Sequence, residues 1–88
     1  MDIAFDYAKD AVNQVKHGVS LALASKFEWD EAVTWQDVRQ PYGELRMVAI
    51  GYIGQRLYVV VYVDRDWTRR IISLRKANSR EINFYAKA

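Results

Sequence analysis

The spacing of apolar residues changes along the chain from a helical period to a strand period. From residue 7 onward it is helical, giving a stripe formed by Tyr7, Ala8, Ala11, Val12 and Val15. Asp6 stands where its carboxylate can cap this helix, and Gly18 stands where a left-handed residue usually ends one. Ser20 can cap a second, shorter helix over residues 21–27. The first third of the chain is therefore predicted to hold two helices, preceded by a short edge strand at residues 1–5.

Strand-forming residues dominate the rest of the chain. Strands are predicted over residues 32–38, 46–53, 57–64 and 69–75, and Asn78 or Ser79 should cap a last helix that runs to about Ala86. Gly54-Gln55 has the glycine-first pattern of a two-residue hairpin turn, and the strand after it is apolar on both faces, so it should be central. We predict an α+β fold in which two N-terminal helices pack on a mostly antiparallel β-sheet meander and a short C-terminal helix follows. All of it should form a single domain of residues 1–88.

The two hairpins also predict which side chains share a face of the sheet. A turn at Gly54-Gln55 pairs Ile53 with Arg56, and we expect the next turn to pair Val63 with Arg69. The first face then carries Arg46, Val48, Ile50, Tyr52, Leu57, Val59, Val61, Val63, Arg69, Ile71, Ser73 and Arg75. The second face carries Met47, Ala49, Ile53, Tyr58, Val60, Tyr62, Arg70, Ile72 and Leu74. Both faces are largely apolar and the N-terminal helices can cover only one, so the other needs the last helix or a partner chain.

Composition removes several classes of site. The 88 residues include no cysteine and one histidine, which excludes disulfides, thiolate metal sites and any site that needs two histidines. No glycine-rich phosphate loop is present. The chain opens without a signal peptide and its apolar runs are too short for a membrane span, so we expect a cytoplasmic protein with no membrane contact. We also expect no metal and no cofactor.

Charge is divided unevenly along the chain. Residues 1–37 carry three lysines against seven acids, a net charge of −4, whereas residues 38–88 carry ten lysines or arginines against four acids, a net charge of +6. Such a division suggests a basic surface for a polyanion such as nucleic acid, or a fold whose two parts complement each other.

One chemistry remains open to these residues, namely acid–base catalysis on a phosphodiester. RNA supplies its own nucleophile, the 2′-hydroxyl, so an enzyme needs proton-transfer groups and cations for the developing negative charge. His17, its neighbour Lys16 and the strand arginines are residues of the right types. The alternatives are structural: His17 can be an ordinary helix-end residue that bonds a carbonyl, and Glu44 and Asp66 can neutralise the arginines.

Several motifs, taken in order, resemble one family. The first is Asp6-x-x-Lys9-x-x-x-Asn13-x-x-Lys16-His17-Gly18-Val19-Ser20, and the second is Tyr42-Gly43-Glu44-x-Arg46-x-x-Ala49-Ile50-Gly51. The others are Leu57-x-Val59-Val60-Val61-Tyr62, Arg70-Ile71-Ile72-Ser73-x-Arg75-Lys76-Ala77 and Arg80-Glu81-x-x-x-Tyr85. Together they resemble the BrnT toxin family over essentially the whole chain. The first and second helices depart from many relatives in having fewer acids near them, which bears on packing or partner fit.

The resemblance implies a RelE-like fold and a bacterial type II toxin, an endoribonuclease that stops translation by cutting RNA. It implies a BrnA-type antitoxin with a ribbon-helix-helix domain, a possible 2:2 assembly, and contact with operator DNA only through that antitoxin. Carried over to this sequence, the catalytic candidates are His17, Arg46 and Arg75, and the RNA-binding candidates are Lys16, Arg70, Lys76 and Arg80. Glu44 is either a general base or a partner for an arginine. Tyr85 either stacks on a nucleobase of the RNA or packs into the core. The alternative is a catalytically silent module that binds protein or nucleic acid and acts as an operon co-repressor.

Overall fold

A five-stranded sheet with helical segments on both sides forms the protein, and the computed structural model describes every residue from Met1 to Ala88. The elements in chain order are β1 (Asp2–Ala4), α1 (Tyr7–His17), two 3₁₀ helices (Leu21–Lys26 and Trp29–Glu31), β2 (Val33–Gln36), β3 (Met47–Ile53), β4 (Arg56–Arg65), β5 (Thr68–Lys76) and α2 (Ser79–Lys87). The strand order is β1-β5-β4-β3-β2, with β1 parallel to β5 and all other pairs antiparallel. The α+β class, the edge position of β1 and the central position of β4 are confirmed.

The ends of the helices follow the predicted signals. Asp6 Oδ1 accepts the Lys9 N–H at 3.0 Å, and Gly18 has a φ of 75° while its N–H donates to the Gln14 carbonyl. Asn78 caps α2, as expected. The second helix differs from the prediction, because the six residues after Ser20 form a 3₁₀ helix with bonds to the third residue back. A further 3₁₀ turn, Trp29–Glu31, precedes β2.

Helix α1 is oriented with its apolar stripe outward. Tyr7 is 84% exposed and Val15 is 90% exposed, whereas the one buried residue of the helix is Asn13. The Asn13 amide nitrogen donates to the Leu74 carbonyl at 2.8 Å and to the Val19 carbonyl at 2.9 Å, and the Leu74 N–H donates to Asn13 Oδ1 at 3.2 Å. Polar bonds therefore fix α1 along the edge of β5, and the predicted stripe does not pack on the sheet.

Aspartate 10 makes the second polar attachment of α1. Its Oδ1 accepts the Leu21 N–H at 2.7 Å and the Ser20 hydroxyl at 2.9 Å, so the helix is tied to the start of the 3₁₀ helix. These hydrogen bonds lower the pKa of the Asp10 carboxyl, with the Leu21 bond as the largest cause.

The register of the first hairpin is as predicted and that of the second is not. Strands β3 and β4 pair from Ile53 opposite Arg56 onward. In the second hairpin Val63 pairs with Arg70 instead of Arg69, since the turn is shorter than expected and Asp66 adopts a φ of 56°. A β-bulge then adds a residue to β5 opposite Val61 and Tyr62.

The bulge changes which arginines share a face. Arg70 lies on the first face with Ser73 and Arg75, so its predicted separation from Arg75 is wrong. Arg69 and Ile71 lie on the second face, so their predicted place on the first face beside Arg46 is wrong. The Arg69 guanidinium stands 4.5 Å from the Trp29 ring centre and 4.3 Å from that of Tyr62, and pairs with Asp64 at 2.7 and 2.9 Å.

Each face of the sheet has its own apolar cluster. The cluster of the second face lies under the 3₁₀ helices and comprises Leu21, Ala24, Phe27, Ala49, Tyr58, Val60, Tyr62, Ile71 and Leu74. The smaller cluster of the first face comprises Val48, Ile50, Leu57, Val59 and Ala77, with Tyr52, Val61 and Tyr85 packed against it. Helix α2 covers only part of the first face. None of the helices has the length and apolar composition that crossing a membrane requires.

Candidate functional site

Arginine 75 occupies the part of the first face that α2 leaves open. Its two terminal nitrogens donate to the two carboxylate oxygens of Glu81, each at 2.8 Å. Glu81 Oε1 also accepts the Asn78 N–H at 2.8 Å, as part of the capping box that begins α2. Glu81 raises the pKa of the Arg75 guanidinium, which keeps that group charged. The cap of α2 thus holds Arg75 in one orientation.

Histidine 17 reaches the same face from the end of α1. It is half-buried and lines a groove of about 330 Å³ between α1 and β5, together with Lys16, Ile72 and Ser73. Burial lowers the pKa of the His17 imidazole, and the charges of Lys16 and Arg75 lower it further. His17 is therefore neutral at neutral pH and able to accept a proton.

A second groove of about 380 Å³ continues from Ser73 across the sheet. It is bordered by Arg75 and Glu81 on one side and by Asp37 and Arg39 on the other. Because Ser73 lines both grooves, His17 and Arg75 belong to one continuous surface. In the second groove Arg39 and Arg75 are balanced by Asp37 and Glu81, whereas Lys9 and Lys16 add positive charge to the His17 groove.

Aspartate 37 organises the loop that brings Arg39 to this surface. Its side chain is only 2% exposed, and its oxygens accept Arg39 Nε at 2.8 Å, an Arg39 terminal nitrogen at 2.7 Å and the Tyr42 hydroxyl at 3.1 Å. Arg39 is the main cause that holds the pKa of the Asp37 carboxyl far below its usual range. The ionised Asp37 fixes the loop while the Arg39 side chain stays 75% exposed to solvent.

Arginine 46 is joined to the site only through this loop. Its guanidinium lies 4.2 Å from the centre of the Tyr42 ring, and its Nε donates to Glu44 at 3.1 Å. Glu44 also lies 4.0 Å from Arg65. Arg46 therefore makes no contact with His17 or Arg75, and Glu44 is engaged as an arginine partner.

The remaining candidates are spread over the surface. Arg70 is exposed on the first face, and Lys76 is exposed but alternates to the other face beside Tyr58. Arg80 lines a separate cavity between α2 and the sheet. The Tyr85 ring packs edge-on against Tyr52, and its hydroxyl donates to the Glu31 carbonyl at 3.0 Å, so this side chain is part of the packing.

Four residues of the surface were missed by sequence reasoning: Asp37, Arg39, Ser73 and Glu81. Glu81 had a usable signal, because a glutamate three residues after Asn78 is the pattern of a capping box. Asp37 and Arg39 belong to no recognised motif. The available signal was a pair of opposite charges two residues apart, just before the loop that contains the proline.

Comparison with known proteins identifies the family of the chain. The sequence model described as "Ribonuclease toxin, BrnT, of type II toxin-antitoxin system" matches residues 5–81. The chain belongs to the BrnT family. A crystal structure of the Brucella abortus ribonuclease toxin BrnT is similar, with a TM-score of 0.72 and 25% sequence identity over 90% of this chain and 99% of that one. A search of curated proteins finds no match. As a BrnT protein, the chain is a ribonuclease toxin and has an antitoxin partner.

Proposed function

We propose that this BrnT protein cleaves single-stranded RNA, without a metal ion, across the two adjacent grooves that hold His17 and Arg75. One observation carries the proposal: a neutral imidazole and a fixed guanidinium come from distant parts of the chain and line two adjacent grooves that meet at Ser73. General acid–base catalysis on RNA needs both kinds of group.

The reaction uses the nucleophile that the substrate carries. His17 takes the proton of the 2′-hydroxyl, the 2′-oxygen attacks the adjacent phosphorus, and the bond from phosphorus to the 5′-oxygen breaks. The leaving oxygen takes a proton from water, so the products end in a 2′,3′-cyclic phosphate and a 5′-hydroxyl. Arg75 stabilises the negative charge that develops on the phosphate oxygens.

The other basic residues have different roles in this proposal. Lys16 borders the His17 groove and Arg39 faces Arg75, so both can contact phosphates that flank the cleaved bond. Arg70 extends the same face, with Arg80 near the start of α2. Arg46 acts through Tyr42 and the Asp37 loop, and Lys76 contributes only to the general positive field.

The cellular role follows from the family. Cutting RNA inhibits translation, in the manner of RelE-like ribonuclease toxins. The antitoxin partner is proposed to be a BrnA-type protein with a ribbon-helix-helix domain, which forms a 2:2 assembly and contacts operator DNA. The protein is proposed to act as a single domain in the cytoplasm.

Purified protein and a labelled single-stranded RNA in EDTA provide the test. We expect the parent to cut the RNA and to leave cyclic phosphate ends, and His17→Ala and Arg75→Ala to be slower by about a hundredfold or more. Lys76→Ala, on the other face, is the matched control and should keep its rate.

Two results would contradict the proposal. Cleavage that persists in folded His17→Ala and Arg75→Ala would refute the site. Tight RNA binding without cleavage by the folded parent, in EDTA and with added Mg²⁺, would favour the silent binding module instead.

A further inference from the structure

A second cavity opens beside the Arg75 groove, between α2 and the edge of the sheet. Its volume is about 630 Å³, and its lining includes Trp35 of β2, Phe84 of α2 and the buried Ile50 as a floor. Trp35 also lines the Arg75 groove, and so does Glu81, so the two spaces are adjacent. A nucleotide whose phosphate lies at Arg75 would have its base within reach of this cavity.

The aromatic side chains of the cavity are unusually exposed for their size. Trp35 is 39% exposed and Phe84 is 51% exposed, and their rings meet edge to face with centres 5.7 Å apart. Helix α2 has no fully buried residue, and although Tyr85 packs on the sheet, Phe84 leaves one side of its ring open to solvent. Trp35 and Phe84 form two aromatic walls at an angle to each other, and the cavity is open to solvent on one side. A planar nucleobase can enter from that side and stack on one of the rings.

The polar groups at the rim of the cavity are donors. Arg80 pairs with no carboxylate within 4 Å, and the Asn78 side-chain nitrogen donates to no group of the protein. The carboxylate of Glu81 is already shared between Arg75 and the Asn78 N–H. A base that presents acceptors fits such a rim, and an arginine fork matches the O6 and N7 acceptors of guanine.

The geometry points to a nucleobase pocket formed by Trp35, Phe84, Arg80 and Asn78, which takes an unpaired guanine next to the cleaved phosphate. This inference rests on the RNA cleavage proposed above and adds the base preference that the groove alone does not supply. Stacking on Trp35 or Phe84 holds the base, and Arg80 distinguishes guanine from the other bases.

The test measures binding apart from cleavage. The probe is a short single-stranded RNA with a 2′-O-methyl group at the cleaved nucleotide, made in four versions that differ in the neighbouring base. We expect the parent to bind the guanine version best. Phe84→Ala and Trp35→Ala should each weaken binding of that version by about tenfold. Arg80→Ala should bind all four versions almost equally.

Ile82→Ala is the matched control, because Ile82 is similarly exposed on α2 but does not line the cavity. It should keep both the affinity and the preference of the parent. Unblocked RNA is then cut with each variant, where Trp35→Ala and Phe84→Ala should raise KM and leave kcat within about threefold of the parent.

The outcomes separate the two proposals. Cleavage that needs His17 but shows no dependence on Phe84 and Arg80 would overturn the pocket and leave the ribonuclease site standing. Guanine-selective binding that these variants abolish, without any cleavage by the parent, would support the pocket and refute the proposed cleavage. If Trp35→Ala, Phe84→Ala and Arg80→Ala keep RNA binding but no longer bind the antitoxin, the nucleobase pocket is refuted, because the cavity is then a binding site for a protein partner.

Discussion

Arg75 and Glu81 are joined by two parallel hydrogen bonds of 2.8 Å, and Glu81 is at the same time the third residue of α2, whose carboxylate completes the capping box with Asn78. The orientation of the guanidinium therefore depends on the first turn of α2, whose Glu81 borders the groove. Phosphate can approach Arg75 along its free edge while Glu81 holds the other one.

Glutamate 81 is expected to be a positioning residue. In Glu81→Ala the guanidinium of Arg75 loses its fixed orientation, so we expect kcat for RNA cleavage to fall by about tenfold or more. Loss of the cap also destabilises α2, by about 1 kcal/mol. Asn78→Ala is the control for kcat, since it removes the cap and keeps the carboxylate on Arg75; its KM is left out of the comparison because Asn78 also lines the nucleobase pocket. Equal kcat values for Glu81→Ala and Asn78→Ala would show that Glu81 matters only for the stability of α2.

The pH dependence of cleavage should report the environment of His17. A base works only when deprotonated, so activity should fall as the pH drops through the pKa of His17, which lies below its usual value of 6.5. Lys16→Met removes one charge that disfavours the imidazolium form, so that pKa rises and the acidic limb of kcat moves to higher pH. Lys26→Met, on the 3₁₀ helix, should leave the limb in place. An unchanged limb in Lys16→Met would rule out His17 as the titrating base.

Adjacent arginines on β5 should have separate roles. Arg69→Ala removes the pair with Asp64 and the contacts with Trp29 and Tyr62, so we expect the free energy of unfolding to fall by about 1–3 kcal/mol. Arg70→Ala should change that free energy by less than about 0.5 kcal/mol. It should weaken RNA binding and reduce its salt dependence by about one phosphate contact. Urea unfolding measures the change in stability, and RNA binding at several salt concentrations measures the change in affinity. If Arg70→Ala lowered stability and Arg69→Ala weakened RNA binding instead, the observed bulge would be contradicted.

The orientation of α1 leads to an unusual expectation for two neighbouring positions. Asn13→Leu leaves the Leu74 backbone groups unpaired in a buried place, so the free energy of unfolding should fall by about 2–4 kcal/mol. Val15→Ser, at a site that is 90% exposed, should cost no more than about 0.5 kcal/mol. Urea unfolding compares the two. Equal costs would mean that the apolar stripe is covered in solution.

Local signals in the sequence predicted most of the elements. Capping at Asp6 and Asn78, the turn at Gly54 and the β3–β4 register all depend on residues close together in the chain, and all are confirmed. The β4–β5 register failed because Asp66 takes a left-handed conformation without a glycine, and because the bulge beyond it has no mark in the sequence.

The candidate site was predictable by residue type and not by arrangement. The sequence predicted His17 and Arg75 as candidates, but their proximity depends on the hydrogen bonds between Asn13 and Leu74, 61 positions away. Periodicity also gave the wrong orientation for α1. Apolar spacing predicts the buried side of a helix only if apolar contacts attach that helix to the rest of the protein. Here hydrogen bonds of Asn13 and Asp10 attach it.

The same Asn13 side chain also gives the sheet a boundary. Strand β1 pairs with β5 only from Thr68 to Arg70, and further along the Asn13 amide takes the donor and acceptor of Leu74 that another strand would have used. Unpaired strand edges recruit strands of other molecules. If the Asn13 side chain were lost, α1 would detach and leave the edge of β5 unpaired at Leu74. Lower stability and self-association should therefore appear together.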